Sequence, residues 1–254
     1  MARTEQHDRP DGAAPSPSPS PAAPAPAASR RRGRGRIATA VGVFGELLIT
    51  VGVLLALFVV YSLWWTNVLA DREAKRQGNH VRDVWAQGPG KLDTRDGIGF
   101  LHVPAMDNGE VLVKRGTSTK VLNDGVAGFY TKPVKSAMPW DAKGNFSLAA
   151  HRDGHGAKFH NIHKLDEGDV MVFETRDTWY VYKVFAKLSE TSKYNVGVLD
   201  PIPEGSGRTE AGRYITLSTC TPVYTSRHRY VVWGELERTE KVDARRTPPR
   251  ELAD

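Results

Sequence analysis

The chain has a single cysteine in 254 residues and no charged side chain between Leu47 and Trp65. The lone thiol excludes a disulfide framework and any multi-thiolate zinc centre, because both need thiol partners. Acidic residues are the scarcer charge, 29 against 35 Lys and Arg, which gives a formal charge of +6. A basic balance invites a nucleic-acid reading only where the excess lies on folded chain. Here it does not. The first 36 residues hold seven arginines against Glu5, Asp8 and Asp11, a net +4, so everything beyond them carries only +2. Nucleic acid is therefore not an expected partner.

Residues 13–29 contain only Ala, Pro and Ser. Proline removes backbone donors, and nothing in this stretch buries enough apolar surface to offset the entropy of ordering it. Residues 1–36 read as a disordered, Arg-ended tail. From Ile37 to Trp65 the chain is apolar apart from Glu46. As a helix, Leu47–Trp65 spans about 28 Å, close to a bilayer's hydrocarbon core. Tyr61, Trp64 and Trp65 gather at one end as an interfacial belt, and the Arg30–Arg36 cluster flanks the other. The positive-inside rule then puts the N-terminus in the cytoplasm and all that follows residue 66 outside. A cleaved signal peptide, suggested by RRRGRGR, has an apolar core of only about 7–15 residues, far shorter than this run. The expectation is a bacterial single-pass membrane protein.

Residues 66–94 mix charges with sparse apolar positions and read as a polar helical stalk ending at Gly88-Pro89-Gly90. Between 95 and 238 the pattern changes to short runs rich in Val, Ile, Tyr, Phe and Trp. These cover 98–106, 111–116, 146–151, 169–175, 179–190, 213–220 and 229–237, with 158–165 as a short helix. Seven or eight short strands bounded by Gly, Pro, Asn and Asp indicate an all-β sandwich or closed barrel. Residues 239–254 form a charged C-terminal tail.

An exposed structural thiol outside the cell is an oxidation liability, so Cys220 is either a small buried filler or a reactive group. It ends an apolar strand, where loops carry function. A thiol nucleophile needs an imidazole nearby. His151 also ends a strand, in FSLAAHRDG, with His102, His155, His160, His163 and His228 as rivals. HRDGHGAKFHNIH packs four histidines into 13 residues. Gly154 and Gly156 oppose a helix that would align a His pair, and no carboxylate stands at ligand spacing, so no metal is expected. Arg229 opens the strand after the Cys220 loop, able to stabilise an oxyanion or hold a peptide carbonyl, with Arg227 in competition.

TLSTC (216–220), AAHRDG (149–154) and the downstream Arg229 together resemble the sortase signature. LHVPAM, GFYTKPVKSAMPW, LDEGDVMVFET and VLDPIP extend the likeness from about Ile98 to Leu236. The Cys-Thr-Pro continuation is similar to actinobacterial class E, housekeeping-type sortases, although Ala150 stands where Gly usually precedes the histidine. The resemblance implies a closed sortase-like β-barrel of about eight strands with short helices, preceded by one transmembrane helix. It implies a cysteine transpeptidase that needs no cofactor, with Cys220, His151 and Arg229 catalytic and Thr219 shaping the substrate site. Cys220 would cleave the Thr–Gly bond of a C-terminal LPXTG or LAXTG sorting signal on a secreted protein. A peptidoglycan-precursor amine, lipid II-like, would resolve the thioester. Two rivals stand beside this reading. An L,D-transpeptidase-like enzyme would need a Ser-His-Gly-Cys arrangement that STCTP lacks. A non-catalytic, membrane-anchored β-domain would bind wall or protein partners and use Cys220 as filler.

Overall fold

The computed structural model describes residues 35–88 and 96–253. The expected disordered tail up to Arg34, the Pro89-Gly90 break and the domain boundary at 95 lie outside them. The chain divides into two units, Met1–Val51 and Gly52–Asp254.

Helix α1 runs unbroken over Arg36–Ala86, so the apolar run and the polar stalk are one element. Its apolar side chains are open to their surroundings; Phe58, for example, is 64% exposed. Leu, Val and Phe displayed in this way suit a bilayer rather than water. Beyond Trp65 the composition shifts to charge, and the helix presents a stripe of small and apolar residues to the strands. Val81 and Trp85 pack against Phe100, Leu112 and Val126. The Trp85 and Phe100 rings meet edge to face at 5.5 Å, a favoured aromatic geometry.

Eight strands follow: β1 (Gly99–His102), β2 (Glu110–Arg115), β3 (Ala127–Phe129), β4 (Gly144–Ala149), β5 (Val170–Glu174), β6 (Thr178–Ser192), β7 (Arg213–Thr221) and β8 (His228–Lys241). They close into a barrel in the order β1-β2-β3-β4-β7-β8-β6-β5, with β5 pairing back onto β1. Among the described residues, closure gives every strand of the barrel a neighbour on both sides. Leu101, Phe146, Leu148, Phe173, Leu217 and Val232 fill the interior, each burial worth about 1.5–3 kcal/mol. Strand spacing left a sandwich and a closed barrel open, and this is the closed barrel that the family resemblance implied.

Several details differ from the sequence reading. Strand β3 is only three residues long, too short for an alternation signal, and went unread. The four-residue helix α2 (Thr119–Leu122) did too. The expected helix at 158–165 shrinks to a 3₁₀ turn at Ile162–Lys164, with backbone bonds from His160, Ile162, Lys164 and Leu165 each running to the residue three earlier. Strand β8 passes the expected boundary at 238. The segment after it is packed, with Val242 and Leu252 against Val172, Trp179 and Val181.

Candidate active site

Strand pairing alone brings three of the singled-out residues to one rim. Strands β4 and β7 run parallel with Ala149 opposite Ser218. Two residues further along each chain stand His151 and Cys220, so both leave the barrel at the same end. Strand β8 returns antiparallel with Arg229 opposite Cys220, and side chains of such a pair share a face. The strands' inward positions, such as Leu217 and Val232, belong to the interior core. Cys220 and Arg229 alternate with these and face outward.

A cleft of about 330 Å³ opens on that outer face, lined by His151, Thr219, Cys220 and Arg229 together with Tyr130 and Leu199. The chain between β6 and β7 roofs it: Val198 and Leu199 pack on Val231 and Trp233, and the Trp233 indole donates to the Val198 carbonyl at 3.0 Å. Cys220 is half-buried, which suits a thiol that must meet substrate more than a filler. Thr219 is buried, and its hydroxyl donates to the Ala150 carbonyl at 2.8 Å, tying the Cys strand to the His strand. Arg229 Nη1 donates to the carbonyls of Ser226 (3.3 Å) and His228 (3.0 Å), which fixes its guanidinium at the mouth.

Burial holds the His151 imidazole below its ordinary pKa, and the neighbouring His155 ring pushes in the same direction against the pull of Asp153. The two rings lie 5.3 Å apart. The lowered pKa favours the neutral imidazole, the form able to take a proton. Its Nε2 donates to Asn123 Oδ1 at 2.8 Å.

The rival histidines have other surroundings. His102 Nε2 lies 3.0 Å from Glu174 Oε2, in a network with Arg82 and Arg246 on another side of the barrel. With Glu110 it forms a His–Glu–Glu group in which ligand atoms lie close enough for one cation. Arg82 already bridges both carboxylates there. His160 Nδ1 contacts the Arg152 carbonyl at 2.9 Å, and His228 faces Glu190 at 3.7 Å.

Three residues of the site escaped the sequence reading. Asn123 follows a four-residue helix with no periodic signal. Tyr130 lies in the cleft beside Cys220 and Arg229; burial raises its hydroxyl pKa against a hydrogen bond to Ser218. Arg152, adjacent to His151, is 6% exposed and reaches behind the end of β7. Its Nη1 donates to Thr221 Oγ1 (3.2 Å) and to the Cys220 carbonyl (3.4 Å).

Residues 101–237 match the model of the sortase domain. The chain belongs to the sortase family. It is a cysteine transpeptidase. Over 225 residues it is 68% identical to Sortase SrtE2 of Streptomyces coelicolor, covering 85% of this chain and 89% of that one. The crystal structure of Sortase E1 from the same organism, with a tripeptide in its active site, superposes with a TM-score of 0.58 at 44% identity. It covers 61% of this chain and 96% of that one. Sortase E from Streptomyces avermitilis gives a TM-score of 0.54 at 34% identity, with the same shares covered. Enzymes of this family act on proteins bearing sorting signals and on cell-wall amines.

Proposed function

We propose that Cys220 is the nucleophile of this sortase, His151 its acid–base group and Arg229 the residue that holds the developing oxyanion or the substrate carbonyl. The register that sets Cys220 opposite Arg229, with His151 at the same rim, carries the reading. One proton is shared between thiol and imidazole. Sγ attacks the threonine carbonyl carbon of a C-terminal LPXTG or LAXTG sorting signal. As the Thr–Gly C–N bond breaks, His151 gives its proton to the leaving glycine amine and a thioester to Cys220 remains. An amine of a peptidoglycan precursor, lipid II-like, then attacks the thioester and returns a proton to His151. The new amide leaves and the thiol is restored. Arg229 stabilises negative charge on the carbonyl oxygen in both steps, and Thr219 fixes the spacing of the two strands.

The apolar start of α1 fits a single-pass anchor. In this reading residues 1–36 are cytoplasmic, 37–65 span the membrane, 66–94 form the stalk and 95–238 the extracellular catalytic domain, with 239–254 as a charged C-terminal tail. An anchor of this kind keeps the enzyme where exported substrates emerge.

The test is cleavage of quenched LPXTG and LAXTG peptides by the detergent-solubilised chain. Cleavage between Thr and Gly is expected, with Cys220→Ala lowering turnover by three or more orders of magnitude, about the size of losing an essential nucleophile. Turnover retained in that variant overturns the mechanism. Cys220 is also expected to react with iodoacetamide without denaturant; labelling only after unfolding returns it to a filler role.

A further inference from the structure

The face of α1 that meets the barrel changes character along its length. Val81 and Trp85 dock by apolar packing. One to four turns earlier, on the same i, i+3, i+4, i+7 stripe, stand Asn67, Ala70, Asp71 and Gln77. Their contacts fall on the two loops that flank His151.

The first is the turn that carries Asn123, the hydrogen-bond acceptor of His151. Asp124 accepts from Gln77 Nε2 at 3.1 Å, and Gln77 Oε1 accepts from Lys114 at 2.7 Å. Gly125 has φ +74°, and a Cβ built there would lie 2.7 Å from the carbonyl oxygen of Ala70, so the turn rests on helix backbone. The second is the loop that begins at His151. The Gly156 amide donates to Asn67 Oδ1 at 2.9 Å, and Lys158 pairs with Asp71 at 2.8 Å. A Cβ on Gly156 (φ +80°) would stand 3.1 Å from Asp71 Oδ1 and 3.4 Å from Gly125 Cα, so the loops also meet each other on the helix. Apolar docking tolerates sliding, whereas directional bonds to a glycine amide and a lysine define one seat. Cys220 and Arg229 have no comparable need, because the β7–β8 ladder sets them.

We infer that the membrane-proximal turns of α1 are a positioning element for His151, seating the Asn123 turn and the 151–158 loop so that the imidazole meets a thiol placed independently by the strands. The inference rests on His151 being the acid–base group. With Nε2 donating to Asn123, Nδ1 is the nitrogen left to exchange protons. Asn67, Asp71 and Asn123 are positioning residues. The chain's anchor and its active site then share one helix, so loss of α1 docking disables the histidine and leaves the nucleophile strand in place.

The test uses the full chain in detergent and the same peptide assay. Asn67→Ala/Asp71→Ala is expected to lower kcat about 10- to 100-fold, the scale of an ångström of misplacement, with KM within about twofold. Lys75→Ala, on the exposed face of α1, leaves both unchanged. Asn123→Asp puts a carboxylate on Nε2, favours the imidazolium and moves the acid limb of kcat/KM to higher pH. That limb is read against the other groups facing His151: His155 and Asp153 on its own loop, and Cys220, Arg229 and Lys193 across the cleft. If kcat and the pH profile of these variants match the parent while His151→Ala is inactive, the positioning role is wrong and the acid–base role stands. If His151→Ala itself keeps activity, the underlying reading has failed instead.

Discussion

Cys220 and Arg229 are paired residues in the antiparallel β7–β8 ladder, so their side chains leave the sheet on the same face. The relationship is set by backbone hydrogen bonds rather than by any contact between the side chains. It survives substitution of either one, which makes each separately testable.

Arg229→Ala is expected to lower kcat/KM by about 10²–10³, the scale of losing one oxyanion donor. Arg227, two residues earlier and before the start of β8, is exposed. Arg227→Ala should keep nearly parental kinetics. Peptide cleavage by the two variants, measured side by side, decides between them, and a reversed pattern would move the role to Arg227.

His151 is held below its ordinary pKa first by burial and then by His155. Removing the second influence lets the pKa rise. In His155→Ala the acid limb of kcat/KM should therefore move to higher pH, since a pair that already holds two protons is inactive. An acid limb that moves to lower pH, or stays put, contradicts this account of the cleft's electrostatics.

Glu174 is 2% exposed, and burial opposes its ionisation. Hydrogen bonds from His102, Arg82 and Arg246 outweigh burial and draw its pKa from 4.5 down to about 2. A lowered carboxyl pKa contributes stability that is complete above the unfolded value and is lost as pH falls through the folded one. The parent should therefore lose about 3 kcal/mol between pH 4.5 and 2 from this group. Glu174→Gln should start less stable at pH 7 and show a flatter acid dependence over that interval. Urea unfolding at several pH values reads both, and parallel curves would exclude the linkage.

How much of this was legible beforehand depended on the length of the signal. The membrane-type run, the long strands β6, β7 and β8, and the strand-end placement of His151 and Cys220 came from composition and alternation. Strand β3, with three residues, and α2, with four, are too short to complete two periods of their patterns, so no repeat is visible. Asn123 sits between them and was invisible for that reason. The 158–165 stretch read as a short helix, but its backbone bonds run to the residue three earlier, and only Ile162–Lys164 is helical, as a 3₁₀ turn. Tyr130 and Arg152 gain their roles only when β7 pairs with β4, distant from it in sequence, and with β8. The C-terminal segment read as a charged tail because its anchors, Arg246 to Glu174 and Arg238 to Glu251, are ion pairs whose partners are distant or indistinguishable by sequence.

Asn67, which caps the Gly156 amide, lies two residues beyond Trp65 on an unbroken helix, an axial step of about 3 Å. With α1 as the anchor, the loop that starts at His151 works at the level of the aromatic belt. Trp65 and Asn67 are joined by helix rather than by a flexible linker. Under the proposed anchoring, the cleft has one working depth, against the lipid headgroups, and reactants retained at the bilayer surface reach it by sliding in two dimensions.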